Sequence, residues 1–329
     1  MTRAHVRLAT ALAVTLAATV PALPAHAAPA APYQWVALGD SYAAGAIPAA
    51  GVELAVSGGR DGCGRTAGSY PELLRERLSA VFDLTNVTCA GATIANLYNQ
   101  PQEPTGYNLP FFDVFDPDYP FPVVPPQIDA ITESANLVTI GVGGNTFGFL
   151  ELVYACLQLG SYADKDLDHP CSDYFTSGGD GVPTVTERLT IVSQEYGDLI
   201  EMIRAQAPNV SVVVVGYPSI IPEDVNTCVY GDSPRALRNF ATATYPDLRW
   251  LRSDVLERLN QVIAQQAAMH NAIYVDTYTA TLGHDVCRPD GANWVEGIVD
   301  RSGGWALIHP NAAGHARIAD TIEAVLPPR

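Results

Sequence analysis

Apolar residues follow two alternating rhythms along this chain. Five short runs are apolar and bounded by turn residues: Tyr33–Gly39, Leu84–Cys89, Asn136–Gly141, Val210–Gly216 and Ala272–Asp276. Val-Val-Val-Val at 212–215 and Leu-Val-Thr-Ile at 137–140 lack the polar alternation of a strand with one wet face. Both faces of these strands are therefore predicted to be covered, as in a parallel sheet. Between the strands the period lengthens to that of a helix. Thr184–Ala207 places Leu189, Val192, Tyr196, Leu199 and Ile203 at spacings of three and four, and Ser253–His270 does so with Leu256, Leu259, Ile263 and Ala267. Tyr70–Phe82 carries Leu73, Leu74 and Leu78, and a last helix is predicted from an Asn311 cap to about Leu326. Such alternation predicts an α/β class: a three-layer α/β/α sandwich on a central, mostly parallel five-stranded sheet, with chemistry at the carboxyl ends of the strands.

Two long connections, at about 99–127 and 154–183, interrupt this order. Residues 101–126 hold eight prolines and six aromatics, among them Phe111, Phe112, Phe115 and Phe121. A loop of that length is usually functional. It either walls an apolar pocket or packs over its own aromatics as a rigid surface loop. The second connection is polar and Gly-rich and reads as a structural excursion. Ahead of the first strand, Arg3 and Arg7, an apolar run from Leu8 to Val20 and the small-x-small triplet Ala25-His26-Ala27 read as a secretory signal peptide over 1–27, cleaved near Ala27. The apolar run is broken by Pro21 and Pro24 and falls short of the ~20 residues of a membrane span. Residues 28–329 then form a single domain without stable membrane insertion.

Composition narrows the field. With 48% hydrophobic and 16% charged residues the chain can bury a core, and a formal net charge of −17 repels phosphate backbones, so no nucleic-acid partner is expected. Six cysteines in an exported chain favour three disulfides. Fifteen pairings are possible and spacing does not choose among them. None of the cysteines has the close spacing of a metal or redox motif, so neither metal nor cofactor is expected.

Three strand ends and one loop carry candidate chemistry. Gly39-Asp40-Ser41 puts a serine at the sheet's carboxyl edge, and a serine hydroxyl needs a base to become a nucleophile. His309-Pro310-Asn311 supplies one, held in place because proline and a helix follow it at once. Acyl transfer also needs donors for a developing oxyanion. Gly91, after the second strand, offers an N–H, and Asn145, after the third, a carboxamide. A dinucleotide loop at 141–148 is excluded because its last glycine would fall at 146, which is Thr. His315 shares a helix stripe with Ile318 and Ile322 and reads as packed; His169, His270 and His284 have no identifiable partner.

In these four segments and their order the chain resembles the SGNH hydrolases, the superfamily of the GDSL lipases and esterases, from Tyr33 to the final helix. The cysteines and the Pro-rich middle are most similar to secreted actinomycete esterases and lipases. The resemblance implies a flavodoxin-like fold and a secreted, monomeric carboxylic ester hydrolase acting on a small-molecule or lipid ester. Ser41 would be the nucleophile, His309 the general base and acid, and the Ser41 N–H, Gly91 and Asn145 the oxyanion hole. Sequential pairing, Cys63–Cys89, Cys156–Cys171 and Cys228–Cys287, closes local loops and accords with these relatives. One residue departs from the family pattern: Ala306 stands where an Asp usually precedes the histidine by three. A main-chain carbonyl from 305–307, Ala306 foremost, is expected to orient the imidazole instead, with Asp300 or Asp276 as alternatives. The aromatic loop favours fatty-acyl esters. A polysaccharide deacetylase is the alternative enzyme, and a non-catalytic carbohydrate- or lipid-binding module the alternative class.

Overall fold

In the computed structural model, which describes residues 32–56, 59–108, 114–178 and 181–326, five strands pair in the order β2-β1-β3-β4-β5. They are β1 (Tyr33–Gly39), β2 (Phe82–Asn86), β3 (Ala135–Gly141), β4 (Ser211–Val215) and β5 (Ile273–Val275). Every pairing is parallel. The sequence-predicted leader at 1–27 lies outside the described residues, as do Phe111 and Phe112.

The strand pleat sorts the core into two layers. Val36, Leu38, Val138, Ile140, Val212 and Val214 point to one face, where α3 (Ile94–Tyr98), α7 (Val185–Gln206) and the helix Glu257–Met269 cover them. Trp35, Ala37, Leu137, Val213 and Val275 point to the other, under α2 (Tyr70–Leu78) and the helix Ala312–Glu323. This double cover is why the central strands show no polar alternation. The one polar side chain at the middle of β3, Thr139, is fully buried and accepts the Trp35 indole N–H at 3.0 Å. The long helices begin where the sequence places caps: Thr184 and Glu187 form a reciprocal box at α7, and Asn311 accepts the Ala313 and Gly314 N–H groups.

Three expectations need correction. The strand read at Leu84–Cys89 begins earlier and is regular over Phe82–Asn86, an edge strand that buries only Phe82 and Leu84 on one face; beyond it Val87 and Cys89 still donate to the Ala37 and Gly39 carbonyls of β1 on the way to the bridge with Cys63. The helix read at Ser253–His270 opens with a wide π turn at Leu251–Leu256 before the α-helix Glu257–Met269. The connection at 154–183 is largely helical: α5 (Phe149–Gly160) buries Leu152, Val153 and Cys156 along one stripe, and α6 (Pro170–Ser177) is joined to it by Cys156–Cys171. The other bridges are Cys63–Cys89 and Cys228–Cys287. Among the described residues no helix is long and apolar enough to cross a membrane.

Candidate active site

Parallel strands bring all their carboxyl ends to one edge, and the chemistry-bearing segments meet there. Directly after β1, α1 (Ser41–Ala44) is capped by Asp40, whose Oδ1 accepts the Tyr42 N–H at 2.9 Å. Gly39 is required at the turn: a Cβ there would stand 2.5 Å from the Ala43 Cβ and 2.6 Å from the Gly141 carbonyl oxygen. Ser41 is thus held at the edge, half-buried, with its Oγ 2.7 Å from His309 Nε2.

His309 is oriented without a carboxylate. Its Nδ1 lies 2.9 Å from both the Ala306 and the Leu307 carbonyl oxygens. Both partners only accept, so Nδ1 carries the proton and Nε2 faces the Ser41 hydroxyl with a free lone pair. Neither alternative aspartate serves the ring. Asp300 binds the N–H groups of Ser302 and Gly304, and Asp276 caps the short helix beginning at Thr277. Desolvation holds the His309 pKa below the usual imidazole value, only partly opposed by the two carbonyls.

The other two predicted segments close the edge. β2 leads to Gly91, in left-handed backbone at φ 80°, and β3 leads to α4 (Gly144–Phe147). Asn145 spends one amide hydrogen on the Ala92 carbonyl at 3.0 Å, which ties these two strand ends together and leaves its second hydrogen for the cavity. The N–H groups of Ser41 and Gly91 find no acceptor among the described residues. Ser41, Gly91, Asn145 and His309 all line one cavity of about 610 Å³. Its wall beyond β3 and β4 is apolar, built from Phe149, Leu150, Val153, Ile220, Leu256 and Leu259. In the described part of the aromatic loop Tyr107 and Val114 line the cavity and Phe121 is buried with the Arg60 guanidinium over its ring, whereas Phe115 and Tyr119 are exposed. His169, His270, His284 and His315 do not line the cavity.

Three further residues belong to this edge, two of them the neighbours of Ser41 in its segment and one, Tyr217, without a sequence signal. Tyr217, just past β4, donates its hydroxyl to Asp40 Oδ2 at 2.5 Å and accepts the Gly144 N–H at 2.7 Å. Burial pushes the Asp40 carboxyl up to about 7, against the Tyr217 hydrogen bond that pulls it down. Tyr42 donates to the Ile308 carbonyl at 2.5 Å and lays its ring 4.7 Å from that of His309. Asp40 and Tyr42 flank Ser41 in its motif, although their partners across the edge are not legible there; Tyr217 looks like an ordinary core aromatic, and no short motif marks it.

With this geometry, the likenesses to known proteins can be placed. The model of the GDSL-like lipase/acylhydrolase family matches residues 37–317. Lipase 2 of Streptomyces coelicolor is 32% identical over 316 residues, covering 94% of this chain and 90% of that protein. An esterase of Streptomyces scabiei is 29% identical over 345 residues, covering 97% and 94%. Among solved structures, the phospholipase A1 of Streptomyces albidoflavus superposes with a TM-score of 0.62 at 24% identity, over 90% of this chain and 100% of that one. It shows the same fold.

Proposed function

The chain belongs to the GDSL-like lipase/acylhydrolase family and is a carboxylic ester hydrolase, and we propose that it is a secreted serine esterase working through an acyl-enzyme on Ser41. The observation that carries this reading is the 2.7 Å contact of Ser41 Oγ with a His309 Nε2 whose tautomer is set by two carbonyls. His309 takes the hydroxyl proton as Ser41 Oγ bonds to the ester carbonyl carbon, and the carbonyl oxygen becomes an oxyanion. The Ser41 and Gly91 N–H groups and the Asn145 carboxamide receive that charge. As the tetrahedral centre collapses, His309 returns the proton to the departing alcohol. A water then gives a proton to His309 and its oxygen to the acyl carbon, releasing the acid and restoring Ser41.

Fatty-acyl or lipid esters are the proposed substrates, because the apolar wall of Phe149, Val153, Ile220 and Leu256 can take up an alkyl chain at ~0.8 kcal/mol per buried methylene. Export is supported by the three disulfides and by the leader-like residues 1–27. A fluorophosphonate probe should label Ser41, and Ser41→Ala and His309→Ala should each abolish hydrolysis of a p-nitrophenyl ester while the protein stays folded. Wild-type turnover in either variant overturns the assignment, and an unlabelled wild type marks a binding module. In a chain-length series the rate should hold or rise past C8; a maximum at acetate would identify a deacetylase.

A further inference from the structure

Two of the three proposed oxyanion donors, the Ser41 N–H and the Asn145 carboxamide, stand on separate turns, and a residue from neither turn joins them. Tyr217 hangs from the end of β4, and its hydroxyl reaches Gly144 on one side and Asp40 on the other. Gly144 precedes Asn145; Asp40 precedes Ser41 and caps its helix. An amide N–H can only donate, so the hydroxyl must accept from Gly144, and it gives its single proton to Asp40 when that carboxyl is ionised. The hydroxyl is thereby held between the two turns in either protonation state of the carboxyl.

The tyrosine itself has little room to shift. Its N–H donates to Asn260 Oδ1 at 2.8 Å, and Asn260 Nδ2 donates back to its carbonyl at 2.9 Å. Its ring meets the Tyr42 ring edge-on, with centroids 5.0 Å apart. A Cβ at Gly144 would stand 3.2 Å from the hydroxyl, so the α4 turn presses directly against it.

We propose that Tyr217 is a positioning residue of the hydrolysis, a strut that sets the Asn145 carboxamide against the Ser41 N–H so that one oxyanion meets both. This rests on the reading of Ser41 and Asn145 as oxyanion donors. Loss of the hydroxyl leaves the Gly144 N–H and the Asp40 carboxyl without their shared partner, and the two turns relax apart. Donors aimed at a transition state lose much of their effect with small displacements, whereas the apolar wall that holds an acyl chain is untouched. The loss therefore falls on kcat.

The test is a double-mutant cycle on a soluble p-nitrophenyl ester with Tyr217→Phe, Asn145→Ala and the pair. Asn145→Ala should lower kcat by about 10²–10³-fold. Tyr217→Phe should lower it by roughly tenfold or more with KM within about twofold, and should cost less than about threefold in the Asn145→Ala background, since a misplaced donor is no longer there to lose. Gly144→Ala, whose methyl presses on the hydroxyl, should show the same background dependence with the tyrosine intact. Multiplicative losses in the double variants, or a rise in KM with kcat preserved, overturn the strut. Wild-type kcat in Asn145→Ala instead overturns the oxyanion reading on which it rests.

Discussion

Leu307 and Ile308 occupy left-handed backbone, at φ 47° and 64°, where a bulky or β-branched residue does not rest without cost. The order of that cost is ~1–3 kcal/mol per residue, and the turn it produces is what aims two consecutive carbonyls at His309 Nδ1. The turn is held by Leu307 N–H to Ile298 O at 3.1 Å, Ile308 N–H to Gly297 O at 2.8 Å and the Tyr42 hydroxyl on Ile308 O. Tyr42→Phe should therefore lower unfolding free energy by about 1 kcal/mol and also reduce kcat, as read by urea titration and steady-state rates. Stability loss with unchanged turnover would mean the turn keeps its shape alone. Carbonyls bring no full negative charge to the imidazole, and desolvation dominates its titration. In the proposed mechanism the neutral ring is the base, so the acid limb of kcat/KM should lie below pH 6.5; a limb well above 7 would contradict a base held low by desolvation. Ser41, Gly91, Asn145 and His309 could be singled out in the sequence because each stands in a short segment of unusual neighbours. Tyr217 could not, since its hydroxyl partners are 177 and 73 residues away and nothing around Gly216-Tyr217-Pro218 marks it.

Among the elements, the buried central strands and the long helices were readable because one residue pattern decides each of them. The pair α5 and α6 was not. Reading from Tyr154 cuts α5 off from Phe149, Leu152 and Val153, which supply its apolar stripe. The start of α6 is satisfied by a distant group: Asp247 accepts the Cys171 and Ser172 N–H groups from 76 and 75 residues away. Such a cap leaves no local trace. The bridge that joins the pair spans 15 residues, for which chain entropy gives about 3 kcal/mol, so Cys156→Ala with Cys171→Ala should lower stability by up to that amount in denaturant melts. A loss under ~0.5 kcal/mol would show that packing alone seats α5. Because α5 turns Val153 toward the cavity, Val153→Phe should shorten the acceptable acyl chain. Rates on C12 esters are expected to drop tenfold or more while acetate ester rates stay within about twofold, and equal losses on both would remove this wall from the acyl path.

Across the whole molecule, the fold buries two titratable groups behind Ser41, and their effects on folding oppose each other. Asp40 is 1% exposed and its carboxyl is raised to about 7. His315 is fully buried and lowered to about 3, by burial and then by the nearby His309, with its Nδ1 accepting the Tyr70 N–H at 3.3 Å. Both prefer their neutral forms, but neutrality has opposite proton counts. Folding takes up a proton on Asp40 between pH 3.8 and about 7, so that contribution is present at low pH and is lost as pH rises. Folding expels a proton from His315 between about 3 and 6.5, so stability is lost there as pH falls. In the shared window the two slopes, each up to about 1.4 kcal/mol per pH unit, cancel. Removing one group should expose the other. Relative to wild type, Asp40→Asn should gain stability as pH rises from about 4 to 7, and His315→Gln should gain as pH falls from about 6.5 to 4, in urea titrations across that range. Differences that stay flat with pH would mean that neither group is held neutral by the fold, and that the Ser41 turn is solvated from behind.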